Sequence, residues 1–396
     1  MSTVVELGVL GGFTLDHPEA GILDNIEFPL GGIDFVDISN KMITIRTTRG
    51  KNRDLEVFDT GRTTIRLNND ERDFDPNYPL SPYSGNIVPR RPVRITTDGE
   101  RVFTGTVDDW NFDYQPGGAS LAEIVASDDF TIITNQLLES GTATPQLTGA
   151  RVSAVLDMPT VAWPADKRNI DVGRSVLGAD TFDGNALSYL QQIETSEQGQ
   201  VFMSKTGVFT FRDRFDATPT SSSLVTFADD GTGVPYTRVN VNYGTELLFN
   251  QVVFTSAVGS ATASNEFSQT QYGIRTTEVS TLVNSQDQLD LLADYFVQRF
   301  AAPEYRFSGI NMNLDTMTGP HLDSVLALEL GDVVLIKFTP NNIGSAIQQY
   351  GQIIALDHDV DGVRHDMRIG LSGLDWNFLV LDDAVFGTMN VNHLAF

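Results

Sequence analysis

Residues 61–110 (GRTTIRLNNDERDFDPNYPLSPYSGNIVPRRPVRITTDGERVFTGTVDDW) constrain the fold more than any other part of this chain. Residues 63–68 alternate apolar and polar side chains, the two-residue period of a half-buried strand. An acidic loop follows, with Asp70, Glu71, Asp73 and Asp75, and prolines at 76, 79 and 82. A second strand leaves it at Pro92-Val93-Arg94-Ile95, and a Thr-Asp-Gly turn leads to a third that ends at Trp110. A long, punctuated loop between short strands is uncommon unless it carries a function. This one holds no nucleophile–base pair and no phosphate cradle, so its expected role is contact with another protein.

The rest of the chain agrees with a β-rich protein. It has 24 Phe and 34 Gly among 396 residues, with many Thr, Val and Asn, and β-branched and aromatic residues favour strands. The length implies two or three domains. No apolar run approaches the roughly 20 residues that cross a bilayer, and the N-terminus lacks the basic region of a signal peptide, so synthesis in a cytoplasm is expected. The absence of Cys excludes disulfides, thiolate metal sites and Cys nucleophiles. The net charge is −26, from 26 basic and 52 acidic residues. Counterion release cannot drive phosphate binding to such a surface overall. It serves solubility, or it lets nucleic acid pass without sticking. One local basic segment, residues 46–53 (RTTRGKNR), reads as a hairpin end or a protein interface.

Turn residues and periodicity divide the chain into a β-rich part, an α+β part and a second β-rich part. Residues 1–35 read as an irregular arm. Short strands at 42–47, 63–68, 92–96, 102–110 and 121–126 make residues 36–127 a first barrel-like domain. Short helices near 128–137 and 149–157, a clear helix at 185–197 and a hairpin at 201–212 make residues 128–216 a compact α+β domain. Residues 217–223 are a polar connection. Strands return near 238–243, 250–255, 333–338, 352–356 and 367–371, interrupted by a helix at 285–302. That helix has Ser285 as N-cap and Leu289, Leu292, Phe296 and Phe300 on one face. Residues 217–375 therefore read as a second barrel-like domain, and 376–396 as a docking tail. The expected class is mainly β: two small antiparallel barrel-like domains with an α+β domain between them.

Catalytic signatures are missing. The five His (17, 321, 358, 365 and 393) include no HExxH spacing. His358 and His365 lie seven apart around an expected turn, without a third metal ligand. Asp357, Asp359, Asp361 and Gly362 match the start of a calcium loop, but position twelve is Arg368 where a bidentate Glu is needed. An acidic hairpin turn explains them better, and an Asx-rich loop that caps its own backbone explains Asp70, Asp73 and Asp75. No nucleophile elbow, Walker loop or dinucleotide fingerprint occurs. No catalytic residue, cofactor or metal is assigned.

The segment GRTTIRLNNDERDFDPNYPLSPYSGNIVPRRPVRI followed by FTGTVDDW resembles the N-terminal part of minor tail proteins of long-tailed, non-contractile phages. ADKRNIDVG, ALSYLQQIETSEQGQVFMSKTGVFTFRDR, LFNQVVF, YGIRTTEVST and LELGDVVLIKFTP follow in similar order, so the resemblance runs from about residue 36 to 375. It implies the tail-tip or baseplate hub class, related in fold to the central hub of contractile-tail baseplates. In that class two barrels per subunit and three subunits form a pseudo-sixfold ring between a sixfold tube and a threefold tip. The implied partners are further copies of the chain, a distal tail or tube ring, and tip or central fibre proteins. Genome DNA passes through without specific binding, and the implied location is the virion tail tip. The class is structural, with no catalytic residues to carry over. Tyr78, Tyr83, Arg90 and Arg91 are the candidate interface residues, with packing inside their own loop as the competing role. The alternatives are a hexameric distal tail ring protein, a tail-associated cell-wall or glycan hydrolase, and a receptor-binding module.

Overall fold

The computed structural model describes residues 1–10, 32–215, 225–303 and 305–374. The greater part of the expected arm, the polar connection and the docking tail lie outside the described residues. The chain is mainly β. Seven strands build the first half: β1 (Thr3–Leu10), β2 (Ile33–Asp37), β3 (Met42–Gly50), β4 (Asp59–Asn68), β5 (Pro92–Thr97), β6 (Glu100–Tyr114) and β7 (Ser120–Ser127). Their alternation decides their faces. On β4, Thr63, Ile65 and Leu67 are buried while Arg62 and Arg66 point outward. Residues 3–10, read from the sequence as part of an irregular arm, pair instead with β5 and β2, because Val5 and Leu7 alternate into the core.

The middle of the chain holds α1 (Phe130–Thr134), α2 (Thr148–Leu156) and α3 (Ala186–Glu197). Between them run five short strands, β8 (Gly141–Ala143), β9 (Gln146–Leu147), β10 (Arg168–Ile170), β11 (Val176–Leu177) and β12 (Asp180–Phe182), and the hairpin β13 (Gln200–Met203) and β14 (Phe209–Arg212) follows α3. The Asn185 side chain caps α3 by accepting the Ser188 amide at 3.1 Å. Then come β15 (Val225–Ala228), β16 (Arg238–Tyr243), β17 (Gln251–Ser256), β18 (Gly259–Ser264), α4 (Glu266–Tyr272), β19 (Thr276–Ser280) and α5 (Gln286–Phe300). The chain continues through β20 (Tyr305–Asn313), α6 (Pro320–Ala327), β21 (Val333–Phe338), β22 (Ile347–Asp361) and β23 (Arg364–Leu374).

The two barrel-like halves are not closed barrels. Among the described residues strand pairing runs unbroken in the order β16-β20-β23-β22-β3-β4-β7-β6-β5-β1-β2, with β21 also on β22 and β15 on β21. β22 is the strand the halves share. Its first part pairs with β21, and after a bulge at Ile353 and Ala355 its last seven residues pair with β3. One hydrophobic cluster fills the first half, from Val5 to Val360. A second joins α2, α3 and the β13–β14 hairpin to the β20–β23 strands, with Ile193, Phe202 and Phe209 in the same cluster as Ile336 and Leu356. The sequence places helix 285–302 on the strands of a second barrel. The structure gives α5 a sheet of its own, β18-β17-β19, where Phe296 meets Phe254 with centroids 6.0 Å apart.

The joint between the halves depends on one glycine. Gly50 ends β3 opposite Ala355 with φ +112°, and a Cβ there would lie 2.1 Å from the Ile354 carbonyl oxygen. Gly85 also has positive φ (+78°) but nothing within 4 Å of its Cβ position. Gly85→Ala should cost about 1 kcal/mol, from backbone strain alone. Gly50→Ala should cost at least about 2 kcal/mol more, because the carbonyl has to move out of the ladder. Urea unfolding of the two variants separates the terms, and equal losses would refute the role of the joint.

Candidate assembly interface

The excursion between β4 and β5 is ordered by its own sequence. Backbone amides reach carbonyls three residues back at Arg72, Asp75, Tyr78, Ser81 and Ser84, onto Asn69, Arg72, Asp75, Tyr78 and Ser81. Pro76, Pro79 and Pro82 each occupy the second position of one of the last three turns, where the fixed φ of proline suits the turn. The proline spacing of three therefore writes a staircase of consecutive turns.

The acidic side chains are consumed locally. Asp70 accepts the Ser120 amide at 2.7 Å, which with Asn68 holds its carboxyl below the usual range. Arg72 binds Asp75 at 2.6 Å and depresses its pKa, and Asp75 also takes the Asn77 amide. Lys41 pairs with Asp73 at 2.9 Å and also with Glu71. These contacts leave the carboxylates as turn and strand ties, and no group of three His, Asp or Glu that could hold a metal occurs among the described residues.

Aromatic rings fasten the staircase to the sheet. Phe74 is fully buried and stacks on Tyr83 at 5.3 Å and on Trp110 at 6.1 Å, and the column continues along β6 through Phe112 to Tyr114. The indole N–H of Trp110 donates to the Val88 carbonyl at 3.2 Å. The four candidate residues divide accordingly. Tyr83 and Arg91 face their own loop, Tyr83 on Phe74 and Arg91 donating to the Gly85 carbonyl at 3.4 Å. Tyr78 is half-buried under the Arg72 guanidinium, 4.7 Å from its ring centroid, and Arg90 is exposed. The sequence reading missed Leu80, which is 79% exposed at the crest of the staircase. Its signal was an apolar residue between two turn prolines.

His358 and His365 do face each other across the β22–β23 hairpin, with Nδ1 of one 2.9 Å from Nε2 of the other. Both are buried at the seam between the two large clusters, flanked by Leu356 and Met367 on one side and Val360 on the other. Burial pushes His365 down to about 4 and His358 well below the ordinary value. Neutral in the fold, each binds a proton near pH 6.5 when unfolded, so their stabilisation is complete above pH 6.5 and is lost as pH falls toward 4. Burial pushes Glu194 up to about 8 and Asp128 up to about 7. Their stabilisation is present below the unfolded carboxylate values and is lost as pH rises through 7 to 8. The two effects oppose one another, so the histidine term has to be read as a difference. The stability margin of the parent chain over His365→Gln should shrink by about 2 kcal/mol between pH 7 and pH 5. A margin independent of pH in urea titrations would refute neutral burial of His365.

Two solved structures share this architecture. The 43 kDa tail protein of prophage MuSo2 from Shewanella oneidensis aligns with a TM-score of 0.57 over 93% of this chain and 96% of its own, at 14% identity. The tail protein from Neisseria meningitidis MC58 aligns with a TM-score of 0.60 over 94% of this chain and 96% of its own, at 12% identity. This is the fold of phage tail proteins. The likeness spans both β-rich parts and the α+β part together, and at such identities it lies in backbone arrangement rather than side chains. No family model and no curated protein matches the sequence. The excursion on the first half is held in shape by its own turns and rings. Among the described residues no helix is long and apolar enough to cross a membrane.

Proposed function

We propose that this chain is a structural subunit of a phage tail, a hub that forms a threefold, pseudo-sixfold ring between the tail tube and the tip and lets DNA pass during ejection. The observation that carries the reading is a whole-chain match to two phage tail proteins, covering 93–94% of this chain. The presence of two strand-rich halves joined at β22 supports the pseudo-sixfold reading. The net charge of −26 supports passage of DNA without capture. The division into residues 36–127, 128–216 and 217–375 belongs to the same proposal, as does a virion location at the tail tip. Within it, Tyr78 and Arg90, together with Leu80, are the excursion's outward contacts, and Tyr83 and Arg91 hold its shape. Image reconstruction of intact particles tests the ring: three copies around the axis are expected, and six copies would replace the hub with a distal tail ring protein.

A further inference from the structure

A groove of about 630 Å³ lies along the seam of the large sheet, between the β3–β4 connection and the segment that follows β16. Its lining carries six cations and four carboxylates. Arg49 is turned inward onto Glu329 and Lys51 is engaged by the Asp54 carbonyl and the Phe58 ring, which leaves Arg53, Arg62, Arg306 and Arg368 against the four carboxylates. In the chain as a whole acids outnumber bases 52 to 26, so that acidic excess is absent here. Several of these cations are weakly engaged. Arg53 is exposed, 3.7 Å from Glu246 and 4.0 Å from Glu56, Arg368 is 3.5 Å from Asp357, and Arg62 is exposed and makes no ion pair among the described residues. The sequence motif at residues 46–53 contributes three of the six, and the strand register supplies the rest of the floor. Arg62, Thr48, Asp357 and Arg368 stand opposite one another in a row across β4, β3, β22 and β23.

We propose that this groove docks an acidic, extended polypeptide segment of a neighbouring subunit; the inference rests on the assembly reading above. Charge complementarity selects the occupant. The outer arginines of the row, Arg62 and Arg368, are three strand spacings apart, roughly 14 Å. An extended chain covers that distance in about four residues, so two carboxylates four positions apart meet both guanidiniums and straddle Asp357. A nucleic acid strand, with a phosphate at every nucleotide, cannot skip the groove's own carboxylates. The partner's carboxylates also replace the loose pairs of Arg53 and Arg368 with charge-assisted, two-pronged ones.

The test uses the full chain and three fluorescein-labelled probes in anisotropy titrations. One is an eight-residue serine peptide with glutamate at its second and sixth positions, the second is the all-serine peptide, and the third is an eight-nucleotide thymidine strand. The glutamate peptide should bind tightest, and its binding should fall about tenfold or more in Arg62→Glu/Arg368→Glu and weaken with added salt. Arg62→Gln/Arg368→Gln, which keeps the surface polar, should show an intermediate loss with unchanged thermal melting. Absent binding, equal binding of the all-serine peptide, undiminished binding by the folded double variant, or preference for the DNA strand each overturns the proposal. These titrations do not depend on ring symmetry. A threefold ring whose subunits ignore the glutamate peptide would overturn the groove and leave the hub reading standing.

Discussion

Arg49→Met is expected to cost about 3–5 kcal/mol, the range for removing one partner of a buried ion pair. Arg49 leaves β3 and pairs with Glu329 at 2.7 Å, with the two side chains only 3% and 15% exposed. The same guanidinium donates to the Met203 carbonyl at 2.9 Å. Glu329 accepts the Lys205 and Leu330 amides, and the Lys205 ammonium caps the end of α6 at the Leu326 and Ala327 carbonyls. One arginine therefore ties the first half of the sheet to the β13–β14 turn and to the approach of β21. Its loss strands a carboxylate in a dry site and frees a buried carbonyl. Glu329→Gln should be milder, about 1–2 kcal/mol, because the amide oxygen still accepts hydrogen bonds. Arg49→Met/Glu329→Leu should recover part of the loss by removing the stranded charge. Urea unfolding of the three variants supplies the cycle. Losses under about 1 kcal/mol for both single variants would show that the node does not hold the three parts together.

The sequence was legible where a periodic signal and a local cap coincided. α3 has leucines at helical spacing after Asn185, which caps it, and α5 has its apolar face after Ser285, which holds the N-cap position without a side-chain hydrogen bond. It was least legible at the strand that organises the molecule. Asp357, Asp359 and Asp361 resemble the start of a calcium loop, yet their spacing of two is also the period of a strand. The carboxylates point out, His358 and Val360 point in, and β22 runs through all five. Acidic residues are rare in strands, which hid it. α6 was missed because Gly319-Pro320 reads as a turn, whereas here proline opens the helix from its first position. The separate α5 sheet was illegible for another reason: strands of five or six residues acquire a partner only in three dimensions. At the candidate interface the prolines announced a punctuated loop. Whether it reaches out or folds back depends on Phe74 meeting Trp110, a pairing between distant parts of the sequence.

That pairing makes Phe74→Ala the sharpest probe of the excursion. Phe74 is fully buried against Tyr83 and Trp110 and belongs to the same cluster as Ile87 and Val93. Removing the ring should cost about 3–5 kcal/mol if the staircase stays closed over the cavity. The staircase has a cheaper route. Its turns are held by bonds three residues apart, and its ties to the sheet are chiefly Phe74, Ile87, Asp70 on the Ser120 amide and Lys41 on Glu71 and Asp73. Once the ring is gone, releasing residues 70–89 exposes little more apolar surface, so opening should be local. Amide exchange at Tyr78, Ser81 and Ser84 should then accelerate far more than exchange in β6 and β7, while urea unfolding of the remainder shifts by less than the full cavity cost. Phe74→Leu should keep the loop closed at about 1–1.5 kcal/mol. If the excursion is an assembly surface, Phe74→Ala should abolish incorporation into tails under conditions where Phe74→Leu assembles. Uniform acceleration of exchange across β4 to β7 would mean the excursion is part of the core rather than a shaped surface mounted on it.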